Sequence, residues 1–283
     1  MRMAEHVIRC GVHRLNWAYG RPLVMGIVNV TPDSFSGDGL GMQTEAAFAQ
    51  AVAMMEAGAD LVDVGAESTR PGAAVVSADE ELDRLVPLLE RLQAAGIPVS
   101  VDTYKATVMA EVIRLGAGFI NDISALGDPA AAATVAPHTD VALCLMHMQG
   151  TPQTMQASPD YQDVALEVSG FLAHVAAQAE RAGIDRSRLI LDPGFGFGKQ
   201  FAHNQALFRA LPQFVQTGLP VLVGVSRKTM IGHITDKPVA ERVAGSVAAA
   251  MLAAQQGAAI VRVHDVVPTV DALKVLRALG PQP

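Results

Sequence analysis

The unit that decides the fold is clearest in residues 105–123, KATVMAEVIRLGAGFINDI. Lys105–Leu115 has the apolar spacing of a helix, and Phe119–Ile123 is a short apolar run that contains Asn121 and Asp122. Gly116 lies between the two, where a left-handed glycine can end a helix and turn the chain back into a sheet. The stretch therefore predicts a helix, a glycine cap and a buried strand.

The same unit recurs along the chain. Continuous apolar runs, which indicate strands buried on both faces, occupy Leu23–Val28, Leu61–Val64, Pro98–Val101, Phe119–Ile123, Val141–Met146, Leu189–Leu191, Val221–Val225 and Ile260–Val263. Segments of helical period lie between most of them, at Thr44–Ala57, Asp79–Ala94, Lys105–Leu115, Val164–Ala182 and Ala240–Gln256. Glycine precedes six of the strands, as Gly58, Gly96, Gly116, Gly183, Gly218 and Gly257. This alternation predicts an α/β fold, a (β/α)8 TIM barrel, with a doubly wound open sheet as the alternative.

Two further signals concern the elements around this pattern. Residues 6–20 have short β-like stretches around Gly11 and Gly20, so we expect an N-terminal β-hairpin before the barrel. Ser77-Ala-Asp-Glu80 has the spacing of a capping box at the start of the second helix. Because no linker or low-complexity tract divides the chain, residues 1–283 are predicted to form one domain.

Composition excludes several classes of partner. Half of the 283 residues are hydrophobic and the net charge is −7, so we expect neither nucleic acid nor an anionic membrane surface as a partner. The apolar runs are too short to span a membrane, and residues 1–14 lack the apolar region of a signal peptide. Cys10 and Cys144 have no metal-ligand spacing and no disulfide framework, which favours a reducing, cytoplasmic location.

A glycine-rich segment, Asp192-Pro-Gly-Phe-Gly-Phe-Gly-Lys199, follows the sixth predicted strand. A Walker loop would need glycine at Pro193 and Ser or Thr at Gln200, and the dinucleotide pattern G-x-G-x-x-G fails on spacing. Alternate glycines would let the main chain approach a ligand, and Phe195 and Phe197 offer flat apolar faces. The segment predicts a buried carboxylate beside an aromatic loop, suited to a planar ring with N–H donors. A glycine-rich surface turn is the alternative.

Polar residues lie at the predicted carboxyl ends of all eight strands, which is where barrels place their active sites. In chain order they are Asn29, Asp63 with Glu67–Arg70, Asp102, Asn121 with Asp122, His147, Asp192, Ser226–Lys228, and Arg262 with His264 and Asp265. Helix capping is the alternative for Thr103 and Asp265, and Asp122 could brace a loop.

Two chemical groups separate within this set. Asp102, Asn121 and Asp192 are acceptors on buried strands, and they suit a ligand edge that carries paired N–H groups. The other group is rich in donors and cations, which suits phosphate; it comprises Asn29, Thr69, Arg70, Ser226, Lys228, Arg262 and His264. An internal salt-bridge network joining the two groups is the alternative.

Two long polar loops follow the first two strands, at residues 31–39 and 66–77. Glycine and proline in these loops would permit opening and closing over a bound ligand. Mobile surface loops without a binding role are the alternative, against which Phe35 in the first loop argues.

Together these motifs closely resemble one family, dihydropteroate synthase. The matching segments run in family order as Met25–Ser36, Asp63–Gly72, Val101–Lys105, Asn121–Ile123, Met146–Gly150, Asp192–Lys199, Gly224–Lys228 and Val261–Val266. Two details depart from the family pattern. Ala66 replaces a common glycine, and Gly37-Asp38-Gly39 reorders the usual Asp-Gly-Gly; because both lie in loops, we expect them to affect the rate constants more than the presence of activity.

The resemblance implies a homodimeric barrel that joins 6-hydroxymethyl-7,8-dihydropterin diphosphate to 4-aminobenzoate, giving 7,8-dihydropteroate and diphosphate in folate biosynthesis. Mg²⁺ would lie on Asn29 with the diphosphate, and sulfonamides would compete as aminobenzoate mimics. By motif, the pterin would be bound by Asp102, Asn121, Met146, Asp192, Phe197, Gly224 and Lys228. The aminobenzoate and diphosphate would be placed by Thr69, Arg70, Pro71 and Ser226, and the diphosphate held by Asn29, Arg262 and His264. The candidate catalytic residues are Asp33, Lys228 and Arg262, with Asp33 accepting the amine proton or steadying a cationic intermediate.

The reaction needs no protein nucleophile, because the dihydropterin ring can stabilise positive charge at its exocyclic methylene. This agrees with the lack of a recognisable Ser-His-Asp or Cys-His arrangement in the sequence. Two other functions stay open. A pterin-barrel methyltransferase acting on methyltetrahydrofolate with a corrinoid protein would not need the cations after the last two strands. A non-catalytic pterin-binding homologue could lose Asn29, Arg70 or Lys228 without penalty.

Overall fold

A barrel of parallel strands forms the centre of the computed structural model, which describes residues 6–18, 20–31, 40–68 and 73–280. The strands within these ranges are β1 His6–Cys10, β2 His13–Trp17, β3 Leu23–Asn29, β4 Leu61–Gly65, β5 Val99–Asp102, β6 Phe119–Asp122, β7 Ala142–Met146, β8 Leu189–Asp192, β9 Leu222–Val223 and β10 Ile260–Val263. β1 and β2 pair antiparallel, and β3 to β10 pair parallel. The predicted barrel and N-terminal hairpin are therefore confirmed.

Helices connect the barrel strands. They are α1 Leu40–Glu56, α2 Ala78–Ala94, α3 Ala106–Arg114, α4 Ala131–Val135, α5 Val164–Arg181, α6 Phe201–Arg209, α7 Leu211–Val215, α8 Thr229–Thr235, α9 Val243–Gln255 and α10 Val266–Leu279. Short 3-10 helices occupy Arg186–Arg188 and Val239–Glu241. None of the described helices combines the length and the hydropathy that crossing a bilayer requires.

The strand order excludes the doubly wound alternative. The order is β8-β7-β6-β5-β4-β3-β10-β9, so each strand from β3 to β8 lies beside the next along the chain. A parallel bridge between Leu191 and Val221, with Leu191 N donating to Pro220 O over 2.9 Å, joins β8 to the segment that enters β9. The two outer strands of an open sheet would not meet in this way, and the sheet therefore closes on itself.

The glycine caps form as predicted, whereas of the predicted capping box only the bond from Glu80 N to Ser77 Oγ is present. The glycines that precede strands have φ between +67° and +100°, the left-handed conformation that favours glycine over side chains with a Cβ. They are Gly58, Gly96, Gly116, Gly183, Gly218 and Gly257. Ser77 Oγ accepts a hydrogen bond from Glu80 N over 3.2 Å and caps α2. The Glu80 carboxylate bonds Arg84, one turn along the same helix.

Two apolar clusters fill the molecule. The larger lies between the strands and the surrounding helices, and it includes Leu88, Val101 and Leu172. The smaller fills the amino end of the barrel interior, where Ile8 and Leu15 of the hairpin pack with inward-facing residues of the barrel strands. The hairpin therefore closes this end of the barrel and leaves the opposite end for the polar residues.

Candidate active site

The inward-facing positions of the barrel strands change from apolar to polar along each strand. Phe119 of β6 and Ile190 of β8 belong to the apolar cluster that the hairpin covers. The next side chains on the same strand face are two residues further on, and these are Asn121 and Asp192. The carboxyl end of the barrel interior is therefore polar.

Asp63 is the hub of the polar interior. Its carboxylate is fully buried and accepts hydrogen bonds from Ser100 Oγ at 2.5 Å, Asn121 Nδ2 at 3.2 Å and Arg262 Nε at 2.6 Å. Arg262 also donates from Nη2 to Asp102 Oδ2 over 3.0 Å. For these residues the internal salt-bridge network expected as the alternative is present, so Arg262 of β10 is held by carboxylates of β4 and β5.

Charge and burial oppose each other in this network. Burial acts to lower the pKa of Arg262, but the carboxylates of Asp63 and Asp102 outweigh it and raise that pKa above its ordinary value. Burial raises the pKa of Asp102 to about 7, against the lowering effect of Arg262. The guanidinium therefore stays charged, while the Asp102 carboxylate depends on its arginine neighbour to remain ionised.

Asn121 presents an acceptor that the described residues do not use. Its Nδ2 donates to Asp63, whereas its Oδ1 is buried and has no hydrogen-bond partner among them. An unpaired buried acceptor costs about 1–3 kcal/mol. A ligand N–H group that reached this oxygen would remove that cost, so the interior is prepared for a donor.

Asp192 and Lys228 form the second charged part of the site. Asp192 is 7% exposed and its Oδ1 accepts from Gly194 N over 2.7 Å; burial raises the pKa of this carboxyl and Lys228 opposes the rise. Lys228 Nζ donates to Phe195 O and lies 4.5 Å from the ring centroid of Phe197. Burial lowers the pKa of Lys228 to about 8. A carboxylate, a cation and an aromatic face are thus presented together.

The glycines of the Asp192–Lys199 segment pack closely against the protein itself, and the expected approach to a ligand stays a prediction. A Cβ at Gly194, where φ is +70°, would lie 1.9 Å from His147 O. Gly198 packs in the same way on main chain that follows β7. A Cβ at Gly196 would lie 3.2 Å from Lys228 Cδ. Gly194 and Gly198 therefore allow the loop to pack against main chain of the protein, and Gly196 faces Lys228.

Ser226 and His264 meet at the ends of β9 and β10. Ser226 Oγ lies 3.1 Å from His264 N, from which it accepts, and 3.1 Å from His264 Nδ1. Between Ser226 and Lys228, Arg227 has a φ of +58°, which is strained for a residue with a Cβ. The guanidinium of Arg227 pairs with Asp265, Nε to Oδ2 at 2.9 Å, and so ties the two loops together. Asp265 makes no side-chain cap bond to α10, and the capping interpretation of this residue is wrong.

Asn29 lies at the rim of the same interior. It ends β3 opposite Gly65 of β4, and Gly65 is opposite Asp102 of β5. A Cβ at Gly65 would lie 3.5 Å from Asp102 Cβ and 3.8 Å from Asn29 Oδ1. The missing side chain therefore leaves a gap between an amide oxygen and a carboxylate.

The remaining predicted pterin residues lie beside these groups. Met146 is 2% exposed and pairs in register with Asp192, and a Cβ at Gly224 would lie 3.8 Å from Arg262 Cβ. Four predicted residues, Asp33, Thr69, Arg70 and Pro71, are outside the described residues. The structure therefore brings the described candidates to one end of the barrel, and their individual roles toward ligands stay predictions.

Asp122 braces a loop, as the alternative interpretation expected. Its carboxylate accepts from Ser124 N at 2.8 Å, Ser124 Oγ at 2.7 Å and Leu126 N at 2.7 Å. Ala125 and Leu126 have φ of +51° and +65°, so these bonds hold a strained turn directly after β6. Burial raises the pKa of Asp122 to about 6.

Sequence reasoning missed two functions of named residues. The sequence marks Asp63 only as one polar residue among several; its position within the apolar run of β4 is the available signal. It marks Lys199 only as the end of the glycine-rich segment. It is 3% exposed, and its Nζ lies 2.9 Å from His147 Nδ1 and 2.9 Å from Gly194 O. No local pattern predicts such a buried lysine.

The chain is similar to known pterin enzymes. The family described as pterin binding enzyme matches residues 25–264. The curated dihydropteroate synthase of Neisseria meningitidis serogroup B is 49% identical over 98% of this chain and 99% of its own length. A solved Xanthomonas albilineans dihydropteroate synthase with 4-aminobenzoic acid has a TM-score of 0.92 and 49% identity, covering 99% of this chain and 100% of that one. A Yersinia pestis dihydropteroate synthase in a sulfonamide drug complex has a TM-score of 0.89 and 48% identity, covering 96% and 98%. The chain belongs to the dihydropteroate synthase family of pterin binding enzymes.

Proposed function

We propose that the chain joins 6-hydroxymethyl-7,8-dihydropterin diphosphate to 4-aminobenzoate and releases 7,8-dihydropteroate and diphosphate. One observation carries the proposal: a buried set of acceptors and a set of cations share the carboxyl end of one barrel. The unpaired Oδ1 of Asn121 belongs to the first set, and Lys228 and Arg262 belong to the second. A substrate with a donor-rich ring at one end and a diphosphate at the other matches this division.

The pterin ring is the ligand that the acceptors suit. Its 2-amino-4-oxo edge carries neighbouring N–H donors, which a carboxylate can accept together. We assign these donors to Asp192 and to Oδ1 of Asn121, and the ring carbonyl to Nζ of Lys228. Phe197 supplies an apolar face beside the same lysine. Because Asp192 is buried, a ligand without N–H groups would leave its carboxylate poorly solvated and would bind weakly.

The diphosphate end is assigned to Arg262, Ser226 and His264. A guanidinium has five N–H donors, and the bonds from Arg262 to Asp63 and Asp102 use only one on Nε and one on Nη2. The carboxylates fix the direction of the group, so its other donors are preorganised. The side chains of Ser226 and His264, already in contact, add hydroxyl and imidazole groups next to it.

The chemical step then depends on electrostatics more than on a protein nucleophile. The C–O bond breaks with its electron pair passing to the diphosphate, and the dihydropterin ring stabilises the positive charge left on the methylene. The lone pair of the aminobenzoate amine forms the new C–N bond, and the ammonium so produced loses a proton. Cationic groups aimed at the departing oxygen stabilise the charge that develops there. We assign this role to Lys228 and Arg262.

We also propose Mg²⁺ as a cofactor bound with the diphosphate. Among the described residues no group of three or more His, Cys, Asp or Glu side chains could hold a metal by itself. Mg²⁺ is commonly held by few protein oxygens together with substrate phosphates and water. Asn29 Oδ1, beside the gap over Gly65, is a hard oxygen ligand that fits this kind of site. When bound, Mg²⁺ would neutralise charge on the leaving diphosphate.

The aminobenzoate site is proposed from the family motifs. Thr69, Arg70, Pro71 and Asp33 are outside the described residues, so their roles depend on the resemblance alone. Arg70 would suit the aminobenzoate carboxylate, and Asp33 would suit the proton of the attacking amine. Sulfonamides, which mimic aminobenzoate, are proposed to compete with it.

A homodimer and a cytoplasmic location are proposed as well. Ile234, Val239, Leu252 and Val267 are large apolar side chains on or between α8, α9 and α10, and each is at least 46% exposed. A contiguous patch of such side chains would suit a subunit contact. Cys10 and Cys144 are free and buried, which agrees with a reducing compartment.

A diphosphate-release assay tests the function. Purified protein receives dihydropterin diphosphate, Mg²⁺ and 4-aminobenzoate, and we expect diphosphate and dihydropteroate in equal amounts. Leaving out aminobenzoate should abolish dihydropteroate formation, and a sulfonamide should raise the KM for aminobenzoate. Methyl transfer from methyltetrahydrofolate to a corrinoid protein, without diphosphate release, would overturn the proposal in favour of a methyltransferase. Binding of pterin without turnover would favour the non-catalytic alternative.

A further inference from the structure

The loop after β8 is shaped by side chains. From Gly194 to Lys199, each main-chain carbonyl accepts a hydrogen bond from a side chain. The donors are Lys199 to Gly194 and Phe197, Lys228 to Phe195, Gln156 to Gly196, Tyr161 to Gly198, and Asn204 to Lys199. Since the loop has no strand or helix ladder, these donors decide its conformation.

Lys199 makes more of these contacts than any other residue. Its Nζ lies 2.9 Å from Gly194 O, 3.0 Å from Phe197 O, 3.3 Å from His147 O and 2.9 Å from His147 Nδ1. An ammonium has three N–H groups and no acceptor, so these four acceptors suit the charged form. One buried side chain therefore joins the start and the end of the loop to the chain that follows β7.

Burial acts against the charged form of both Lys199 and His147. Burial lowers the pKa of Lys199 to about 7, and Asp192 opposes the fall. Burial and the neighbouring lysine lower the pKa of His147 to about 3, so the imidazole is neutral and its Nδ1 can accept. Lys228 also faces Lys199 electrostatically and lowers its pKa.

The same loop carries groups that the proposed function assigns to the pterin. Asp192, at its start, accepts from Gly194 N. Phe195 O accepts a hydrogen bond from Lys228 Nζ, and the ring of Phe197 lies beneath that nitrogen. A change in the loop would therefore move the carboxylate, the lysine and the aromatic face together.

We propose that Lys199 is a positioning residue of the pterin site: its buried ammonium ties His147, Gly194 and Phe197 together and thereby holds Asp192, Phe197 and Lys228 in the geometry that binds the ring. The inference rests on the proposed function. Lys199 acts through the loop, because its Nζ is occupied by main-chain carbonyls and the imidazole.

The test compares Lys199→Met with the wild type in the diphosphate-release assay. Methionine keeps the apolar stem and removes the ammonium. Hydrogen bonds to a charged group are strong, and losing several should raise the KM for pterin diphosphate by about tenfold or more. The KM for aminobenzoate should stay within about twofold, because the residues assigned to it are on other loops.

Arg188→Met is the matched control. Arg188 is also a buried cation that donates to three main-chain carbonyls, those of Val135, Ala136 and Val141, but it precedes β8 at the opposite end of the strand. We expect it to lower the thermal midpoint and to leave both KM values unchanged. If Arg188→Met raised the pterin KM as Lys199→Met does, general destabilisation would explain both effects and the proposal would be overturned.

If Lys199→Met does not fold, His147→Phe tests the positioning role of Lys199. Phenylalanine can keep the edge-on packing against Phe171, where the ring centroids are 4.9 Å apart, and it removes one acceptor from the ammonium. We expect the pterin KM to rise by about threefold and the aminobenzoate KM to stay unchanged. A pterin KM equal to that of the wild type would overturn the inference. A wild type that releases no diphosphate would instead overturn the proposed function.

Discussion

At the amino end of the barrel the interior is hydrocarbon, whereas at the carboxyl end it is a network of charges and amides. The apolar end is formed by Ile8, Cys10, Leu15, Leu23, Met25, Leu61, Phe119, Ala142, Cys144, Ile190, Leu222, Ala259 and Ile260. The polar end contains Asp63, Ser100, Asp102, Asn121, Asp192 and Arg262. The strands β4, β6, β8 and β10 supply residues to both sets, with the polar residue two positions after the apolar one. Hydrophobic packing and candidate ligand-binding groups are therefore separated along the strand, which leaves the carboxyl end able to vary around a fixed apolar core.

The two ends of β8 show the same contrast in two buried cations. Arg188 donates to Val135 O and Ala136 O at the end of α4, where helix carbonyls lack partners within the helix. Lys199 donates to carbonyls of a loop that faces the site. Both satisfy a buried charge with main-chain oxygens. The difference is what those oxygens belong to: a helix end in one case, and a ligand-binding loop in the other.

Asp63→Asn removes the central carboxylate of the polar end and should have the largest effect on the free energy of unfolding. The amide cannot accept from Ser100, Asn121 and Arg262 as the carboxylate does, and the buried guanidinium loses one of its two partners. Breaking a buried ion pair in this way should lower the free energy of unfolding by about 3–5 kcal/mol. Urea denaturation measures this change in the free energy of unfolding.

The control for Asp63→Asn is Asp271→Asn. Asp271 pairs with Lys274 at 3.4 Å on the surface of α10, where both side chains are exposed. The urea midpoint of this variant should equal that of the wild type. Equal midpoints for both variants would mean that the polar end contributes nothing to stability, contrary to the network described.

Lys228→Ala and Asp192→Ala test whether function is confined to the polar end. Each removes a group assigned to the pterin ring, and Lys228 is also assigned to the transition state. We expect kcat/KM for pterin diphosphate to fall by about 10²–10³-fold, as for the loss of one preorganised electrostatic group. Because removing either charge leaves the other without an opposing charge that offsets its burial, the thermal midpoint is measured alongside to separate lost stability from lost activity. If both variants kept wild-type activity, the assignment of the site would be wrong.

The pH dependence of kcat/KM tests whether activity needs the positive charge of Lys228 at the polar end. The pKa of Lys228 is lowered to about 8, so its positive charge is lost as the pH rises through that value. If the charge is needed, kcat/KM for pterin diphosphate should fall by about tenfold for each pH unit above the transition. Lys199, with a pKa of about 7, would add an earlier fall. In Lys228→Ala the fall near pH 8 should be missing, and its persistence would assign the titration to another group.

Ile8→Val tests the apolar end of the barrel and should have the smallest effect of these variants on the free energy of unfolding. Ile8 is 1% exposed and packs in the cluster that closes the amino end of the barrel. Removing one buried methylene should lower the free energy of unfolding by about 0.5–1.5 kcal/mol, with both KM values unchanged. A changed KM for either substrate would show that the two ends are coupled.

Much of the fold follows from short-range physics in the sequence. The apolar runs, the helical segments and the glycine caps each depend on a few neighbouring residues, so the eight strands and the hairpin were predictable. The polar residues at strand ends were predictable for the same reason. The capping role of Asp265 was wrong, because its bond to Arg227 involves a residue 38 positions away.

By itself, then, the sequence determined the order of the strands and helices and which end of each strand carries the reactive groups. Only the tertiary structure decided which side chains form hydrogen bonds with each other. Arg262 pairs with Asp63, 199 positions away, and Lys199 pairs with His147, 52 positions away. The physical reason is that burial makes a charge dependent on whichever partner the closed barrel brings within hydrogen-bonding distance. Local sequence patterns carry no information about that distance.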